Sequence, residues 1–171
     1  ILDVLSRSQL TMDEMFEVFD YCREKGILPL CTPWDIASVA TLEEYGIEGY
    51  KVASADLTNH DLIEEIAKTG KPMILSTGMS AEKEIIETVA LLKHLGAPYI
   101  LLNCNSTYPA PFKDLNLQYL GRLKEIGNCL VGYSGHERGV NIALAAVACG
   151  SKVIEKHFTL DKSMEGNDHK I

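Results

Sequence analysis

Residues 70–104 read GKPMILSTGMSAEKEIIETVALLKHLGAPYILLNC, and this stretch decides the fold. The apolar run at residues 72–76 predicts a buried strand, and residues 99–104 predict a second one. Between them, the spacing of apolar residues predicts a helix over residues 81–95, which Gly96 ends. A strand, a helix and another strand in this order form a βαβ unit, in which the two strands run parallel.

The same unit repeats along the chain. Apolar runs predict six strands, at residues 27–31, 49–53, 72–76, 99–104, 129–133 and 152–155. Helical patterns separate them at residues 34–45, 59–68, 81–95, 117–126 and 139–148, and another covers residues 1–26. The strands lack polar alternation, as expected when helices cover both faces of a parallel sheet. The repeat therefore predicts an α/β protein.

Two closures fit such a sheet: an open doubly wound sheet and a (β/α)8 TIM barrel. No GxGxxG follows a predicted strand and no GxxxxGK[ST] occurs, so the nucleotide-binding form of the open sheet loses its main support. A complete barrel has eight strands and about 250 residues. If the sheet closes as a barrel, the 171 residues would form a single partial domain of about six βα units, corresponding to barrel strands 3 to 8.

Composition and charge disfavour several classes of protein. The formal net charge of −8 disfavours nucleic acid and anionic membranes as partners, because both attract a basic surface. No apolar run approaches the length of a membrane span or resembles a secretion signal. The five cysteines are odd in number, scattered and without a CxxC pair, which favours reduced core thiols. We therefore expect a cytoplasmic protein with no membrane or nucleic-acid partner.

Polar side chains follow every predicted strand. Hydroxyl groups, a lysine and helix N-termini can together bind a phosphate or carboxylate, because they supply hydrogen-bond donors in little space. The same residue types cap helices and form turns, which would explain any one strand end. Their recurrence at six successive strand ends favours a shared binding site. The residues are Thr32, Lys51, Ser54, Asp56, Ser76, Thr77, Asn103, Asn105, Ser106, Tyr108, Ser134, His136, Glu155 and His157.

Two histidines stand at the ends of neighbouring predicted strands. His136 follows Ser134 by two residues and His157 follows Glu155 by two, so each pair lies on one side if the strand continues. Both imidazoles could then reach one divalent ion, whose shell water, a carboxylate or substrate would complete. Alternatively, His136 is a turn residue and His157 is a hydrogen-bonded strand end. The spacing alone leaves both interpretations open.

Lys51 precedes two apolar residues within a predicted strand, where an unpaired ammonium group is costly. Such a lysine can bind a phosphate or carboxylate, or form a Schiff base as in lysine-dependent aldolases. A third interpretation is structural, with the side chain extending from the strand end to solvent. The nearby Ser54, Ser76 and Ser134 favour the anion-binding role.

Five motifs carry a resemblance to a known family: KVASADLTN (51–59), GKPMILSTGMS (70–80), YPAP (108–111), GYSGHERG (132–139) and KVIEKHFTLDKSMEGNDHK (152–170). In this order they make the chain similar to the N-acetylneuraminate (sialic acid) synthase family. The resemblance implies a TIM-barrel enzyme that condenses phosphoenolpyruvate with an N-acetylated sugar aldehyde, such as N-acetylmannosamine, and releases phosphate. It also implies a divalent metal, manganese with magnesium or cobalt as alternatives, and a homodimer in the full-length protein.

The resemblance further implies roles for individual residues. The metal ligands would be His136 and His157, and Glu155 would lie beside the metal and orient water or substrate. Lys51 would bind an anion rather than form a Schiff base. The implied catalytic residues are Glu155, Lys51 and Asp56. Phosphoenolpyruvate would be held by Lys51, Ser54, Ser76, Ser106 and Ser134 with Thr32 close by, and the sugar by Asp56, Tyr108 and Asp168.

The chain departs from the family pattern at several positions. Trp34 stands where many members have Phe, Ser106 where some have Asn, and Asn167 where Pro is common. These differences leave open relatives that make legionaminic or pseudaminic acid, and we expect Trp34 to pack rather than to stack on a ligand. The family's first two strands, last helix and antifreeze-like C-terminal domain have no counterpart in the sequence. A partial barrel that binds ligands without catalysis is therefore a further alternative.

Overall fold

The computed structural model describes residues 6–171, so the part of the predicted helical pattern at residues 1–5 lies outside it. Helices and strands alternate over most of this range. The main helices are α1 (Met12–Glu24), α2 (Ile36–Tyr45), α3 (His60–Lys68), α4 (Glu82–Leu95), α5 (Tyr119–Gly127) and α6 (Asn141–Ala148). The strands of the sheet are β1 (Tyr50–Val52), β2 (Met73–Ser76), β3 (Tyr99–Cys104), β4 (Val131–Gly135) and β5 (Val153–Lys156).

The five strands pair in parallel, in the order β1-β2-β3-β4-β5. Each strand therefore lies beside the next one along the chain. A doubly wound sheet would reverse this order at a switch point, whereas a barrel keeps it sequential. The structure is a half-barrel of five parallel strands, which confirms the predicted incomplete TIM barrel.

The strand predicted at residues 27–31 is wrong except at its last residue. Cys31 forms an isolated parallel bridge with Tyr50, and its carbonyl accepts a hydrogen bond from the Lys51 N–H at 2.9 Å. Ile27 and Leu28 are 60% and 54% exposed, so within residues 6–171 no layer covers this segment on both faces. The apolar run therefore does not build a strand here, and the sheet has five strands instead of six.

β4 begins and ends later than the predicted strand at residues 129–133. Asn128 adopts a left-handed conformation (φ 50°) directly after α5, so Cys129 and Leu130 still belong to the connection. The strand continues to Gly135, because Ser134 pairs with Glu155 and Gly135 pairs with Lys156. His136 therefore follows the last paired residue of β4.

Several helix ends follow signals present in the sequence. Thr11 and Glu14 form a capping box, in which the Thr11 N–H donates to the Glu14 carboxylate at 2.8 Å. Gly46 ends α2 and Gly96 ends α4 in left-handed conformations (φ 82° and 66°), which glycine adopts without strain. Within residues 6–171, no helix has the length and apolar character needed to cross a membrane.

A polar cluster ties β1 to its neighbouring helix and loop. The fully buried Tyr50 donates its hydroxyl to the Glu43 carboxylate, which also accepts from Lys71 Nζ at 2.6 Å. Burial raises the pKa of Glu43, but the hydrogen bonds from Lys71 and Tyr50 outweigh it, so the pKa lies below its usual value of 4.5. Burial, and then the hydrogen bond to Glu43, raise the pKa of Tyr50.

We predict that Gly132 in β4 tolerates no side chain. A Cβ atom there would lie 2.4 Å from Leu102 Cδ2 and 2.6 Å from the Val153 carbonyl oxygen. Gly132→Ala should lower the free energy of unfolding by about 3 kcal/mol, because overpacking also displaces backbone. The control is Gly121→Ala in α5, where a Cβ atom meets nothing within 4 Å. Gly121→Ala should raise the free energy of unfolding by up to about 1 kcal/mol. Urea unfolding followed by circular dichroism measures both, and equal stabilities would contradict the prediction.

The cluster around Glu43 predicts a pH-dependent contribution to stability. Because folding lowers its pKa, this contribution is complete well above pH 4.5 and is lost as the pH falls through the folded-state pKa. Glu43→Gln should therefore lower the melting temperature at pH 7, and the difference from wild type should shrink below pH 4.5. Glu65→Gln is the control. It removes an exposed ion pair with Lys68, which also has a distance of 2.6 Å, and should change the melting temperature little. A deficit of Glu43→Gln that does not vary with pH would refute this account.

Candidate active site

The carboxyl ends of the strands surround a cavity of about 490 Å³. Functional side chains of barrels collect at this end, and ligand sites typically enclose roughly 300–1,000 Å³. Ten of the predicted site residues line the cavity: Thr32, Lys51, Ser54, Ser76, Ser106, Tyr108, Ser134, His136, Glu155 and His157. The other lining residues are Trp34, Ala53, Ala55, Met79, Cys104, Gly135 and Lys156.

Lys51 is the central residue of β1, and its side chain is only 14% exposed. Its Nζ donates to Ser76 Oγ at 2.8 Å and to the Val52 carbonyl at 2.9 Å, and lies 3.8 Å from Glu155 Oε2. Burial lowers the pKa of Lys51, and the charge of Glu155 offsets this only in part. The group is therefore a poorly hydrated cation with one distant counter-charge.

Hydroxyl groups from separate loops meet beside this lysine. Ser54 Oγ accepts a hydrogen bond from the Gly78 N–H at 3.1 Å, which joins the loops after β1 and β2. A Cβ atom on Gly78 would lie 2.6 Å from Ser106 Oγ, so the loop after β3 also packs closely against this point. Ser134 is buried in β4. Two strand-end loops, after β1 and β3, and two strands, β2 with Ser76 and β4 with Ser134, therefore present hydroxyl groups to the same wall.

The register of β4 and β5 brings the two histidines together. Gly135 and Lys156 are paired, and His136 and His157 are the residues that follow them. The imidazole centroids lie 5.3 Å apart. Ser134 and Glu155 are also paired, so both predicted pairs of residues face the cavity as their spacing indicated.

His136 is held in a fixed orientation. Its Nδ1 lies 2.7 Å from the Asn105 carbonyl, which can only accept, so Nδ1 donates and Nε2 is the nitrogen not engaged by this carbonyl. Tyr108 stacks on the ring at a centroid distance of 4.1 Å. Burial lowers the pKa of His136, but contacts with Cys104 and the Asn105 carbonyl outweigh it and raise the pKa.

The environments of His157 and Tyr108 are also set by burial. Burial lowers the pKa of His157, and Asp168, whose Oδ1 lies 3.8 Å from Nδ1, offsets this only in part. Burial, with the neighbouring negative charges, raises the pKa of Tyr108 to about 12. Tyr108 therefore carries its hydroxyl proton at neutral pH, as a hydrogen-bond donor at the cavity wall.

Asp56 and Asp168 do not line the cavity. Asp56 lies in a 3-10 turn at Ser54–Asp56, where its Oδ1 accepts from Asn59 Nδ2 at 3.1 Å. Its Oδ2 is buried and has no hydrogen-bond partner among the described residues. Asp168 stands beyond His157 with a side chain that is 66% exposed. Their roles in binding a sugar stay predictions.

Sequence reasoning overlooked several residues of the site. Trp34, which we expected to pack rather than to stack on a ligand, is 64% exposed and lines the cavity, so it is not packed among the described residues. Cys104 ends β3, with its Sγ 3.7 Å from His136 Nδ1. Burial raises the pKa of this thiol, but the hydrogen bond and charge of His136 outweigh it and lower the pKa. The place of Cys104 at a strand end was the one available signal.

The two imidazoles fit a divalent cation as partial ligands. A histidine that donates one ring nitrogen to a carbonyl and keeps the other free is typical of metal sites, and His136 has this arrangement. Glu155 adds carboxylate oxygens on the same face. Among residues 6–171, no group of three or more His, Cys, Asp or Glu residues could hold a metal by itself. Water or substrate atoms would therefore complete the shell.

Comparison with known proteins identifies a family and several relatives of the chain. The chain matches the NeuB family over residues 1–171. It is 47% identical over 164 residues to an uncharacterized protein of Methanocaldococcus jannaschii, and 43% identical over 172 residues to an N,N'-diacetyllegionaminic acid synthase of Campylobacter jejuni. The alignments cover 95% and 99% of this chain but 49% and 52% of the relatives. The chain thus spans about half the length of the curated relatives it matches.

A solved structure shows the same architecture. The N-acetylneuraminic acid (sialic acid) synthetase of Leptospira borgpetersenii superposes with a TM-score of 0.94 at 36% sequence identity. The superposition covers 99% of this chain and 59% of that protein.

Proposed function

The chain belongs to the NeuB family, and on this premise we propose that it forms an active-site wall of a nonulosonic acid synthase. The reaction would join phosphoenolpyruvate to an N-acetylated sugar aldehyde with the help of a divalent metal ion. The proposal is carried by one observation: a buried lysine, serine hydroxyls, a carboxylate and two imidazoles meet in one cavity. The relatives named as sialic and legionaminic acid synthases support the reaction class.

The side of the cavity near Lys51 suits phosphoenolpyruvate. A charge in poorly hydrated surroundings attracts a counter-ion more strongly than an exposed charge does. The Lys51 ammonium group, with Ser54, Ser76 and Ser134 around it, supplies donors for a phosphate or carboxylate. An anion bound there would give Lys51 a closer counter-charge than Glu155 provides at 3.8 Å.

The part of the cavity near the two histidines suits the aldehyde. His136 and His157 would hold the metal ion, which when bound polarises the aldehyde oxygen. Glu155 lines the same cavity, 3.8 Å from Lys51 Nζ, and its side chain is 40% exposed, so it can reach a water molecule. In this arrangement Glu155 orients the water and accepts one of its protons.

The bonds that form and break in the proposed reaction define the roles of the remaining residues. A new bond joins C3 of phosphoenolpyruvate to the aldehyde carbon, and the aldehyde oxygen becomes a hydroxyl group. Water adds to C2, the bond between C2 and the phosphate oxygen breaks, and a ketone and inorganic phosphate are formed. The two protons of that water end on the new hydroxyl and on phosphate. Lys51 and the serine hydroxyls stabilise the charge of the departing phosphate.

The identity of the sugar depends on the rim of the cavity. Tyr108 and Asp168 flank the two imidazoles, and Trp34 stands at the rim. We propose N-acetylmannosamine as the first substrate to test, followed by the sugars that lead to legionaminic and pseudaminic acid. The homodimer implied by the resemblance belongs to the same proposal.

The first test measures phosphate release by the intact protein. Release should require phosphoenolpyruvate, an N-acetylated sugar aldehyde and Mn²⁺, Mg²⁺ or Co²⁺ together, and EDTA should abolish it. His157→Gln should lower kcat/KM by about 100-fold or more. His94→Gln, at the exposed end of α4, is the control and should have no effect. Full turnover in EDTA would refute the metal role, and binding of phosphoenolpyruvate without turnover would favour the non-catalytic alternative.

A Schiff-base aldolase is a second candidate, favoured by the lowered pKa of Lys51. The hydrogen bonds from Nζ to Ser76 and to the Val52 carbonyl favour an ammonium group instead. We therefore expect that treatment with pyruvate and borohydride leaves the mass of the peptide containing Lys51 unchanged. The peptide containing Lys71 is the control, and its mass should also stay unchanged. Mass spectrometry checks both, and a reduced adduct on Lys51 alone would favour the aldolase.

A further inference from the structure

Glu137 and Lys156 form an ion pair beside the two histidines, and neither has a task in the reaction described above. Glu137 directly follows His136, and Lys156 directly precedes His157. Lys156 Nζ donates to the Glu137 carbonyl at 2.6 Å and lies 3.3 Å from Glu137 Oε1. One ammonium group thus ties the backbone after His136 to the end of β5.

The Glu137 carboxylate is enclosed on all sides. Its side chain is 0% exposed, and that of Lys156 is 19% exposed. The Tyr133 hydroxyl donates to Glu137 Oε2 at 2.7 Å, so each carboxylate oxygen has a partner. A Cβ atom on Gly135 would lie 2.7 Å from Oε2, so glycine at this position provides the space that the carboxylate occupies.

The ion pair connects the two chain segments at the point where the hydrogen bonds between β4 and β5 end. The hydrogen-bonded register of β4 and β5 ends with the pair Gly135 and Lys156, and the histidines lie one residue beyond it. The segments that follow diverge, since one leads to α6 and the other to the 3-10 turn Asp168–Lys170. The bonds from Lys156 to Glu137 join the last paired residue of β5 to the segment that follows His136.

A buried ion pair adds little net stability, because desolvation of its two charges offsets their attraction. The Glu137–Lys156 pair therefore matters mainly for the positions of the residues next to it, His136 and His157. We propose that the Glu137–Lys156 pair is a positioning device that holds the His136 and His157 imidazoles at the separation at which they bind one divalent ion. The inference rests on the proposed metal role of the two histidines, and it assigns Glu137 and Lys156 as positioning residues.

The main test is Mn²⁺ affinity in the intact protein, measured by electron paramagnetic resonance. The double variant Glu137→Gln/Lys156→Met removes both charges and leaves no unpaired charge in the interior. It should bind Mn²⁺ about 10–100-fold more weakly than wild type. Lys156→Met alone leaves the negative charge, which by electrostatics alone would strengthen cation binding. Weaker binding by this variant therefore reports lost positioning, and Lys156→Arg should restore part of the affinity.

Lys71→Met is the matched control. It removes the lysine from another partly buried pair, Lys71–Glu43 at 2.6 Å, which lies outside the cavity wall. It should lower the melting temperature and leave Mn²⁺ affinity unchanged. If the double variant behaves in the same way, with a lower melting temperature and wild-type affinity, the ion pair is structural only and the proposal is overturned.

A second readout does not depend on metal. The His136 Nδ1 proton, which is donated to the Asn105 carbonyl, should give a slowly exchanging imidazole signal in nitrogen-15 NMR of the metal-free protein. In the double variant this proton should exchange about 10-fold faster or more, because the ring is less restrained. A wild-type protein that binds no Mn²⁺ would refute the metal role, and the NMR comparison would still decide whether the pair orders His136. Unchanged exchange together with unchanged affinity overturns the inference.

Discussion

The parallel register between β4 and β5 is the constraint on which the candidate site depends. Ser134 pairs with Glu155 and Gly135 with Lys156, so the two chains leave the sheet side by side. A slip of one residue would turn every side chain of one strand to the other face and separate the imidazoles. Gly132 supports this register, because only a residue without a side chain lets Leu102 and Val153 approach it so closely. Core packing and site geometry therefore rest on the same hydrogen bonds.

Electrostatics imposes a second constraint. A chain with a net charge of −8 repels an anionic substrate at long range, so binding must come from local cations. Lys51 and Lys156 line the cavity with side chains that are 14% and 19% exposed. Lys156 is engaged by Glu137, and Lys51 has Glu155 only at 3.8 Å. The attraction for an anion therefore falls mainly on Lys51.

The sequence was sufficient to predict the alternating elements and ten cavity residues, because both depend on local signals. Apolar runs, helix stops and polar strand ends can each be recognised within a few residues. The strand prediction for residues 27–31 was wrong because the burial of an apolar run depends on which other elements cover it, and this depends on tertiary structure. The exposure of Trp34 and the contact of Cys104 with His136 depend on how loops from different units meet. Glu137 resembles a solvated turn residue until the fold places Tyr133 and Lys156 around it.

The loops that line the cavity belong to different βα units, and each unit is closed by its own helix. Trp34 lies in the turn before α2, Ser54 in the turn before α3, and Tyr108 in the loop before α5. A change in one of these loops alters one side of the pocket and leaves the pairing of the strands intact. Under the proposed function, the part of the pocket assigned to the sugar can thus diverge while the part assigned to the anion stays the same. The architecture is modular in this sense, and a lineage built on it can acquire new ligand preferences by small, separate steps.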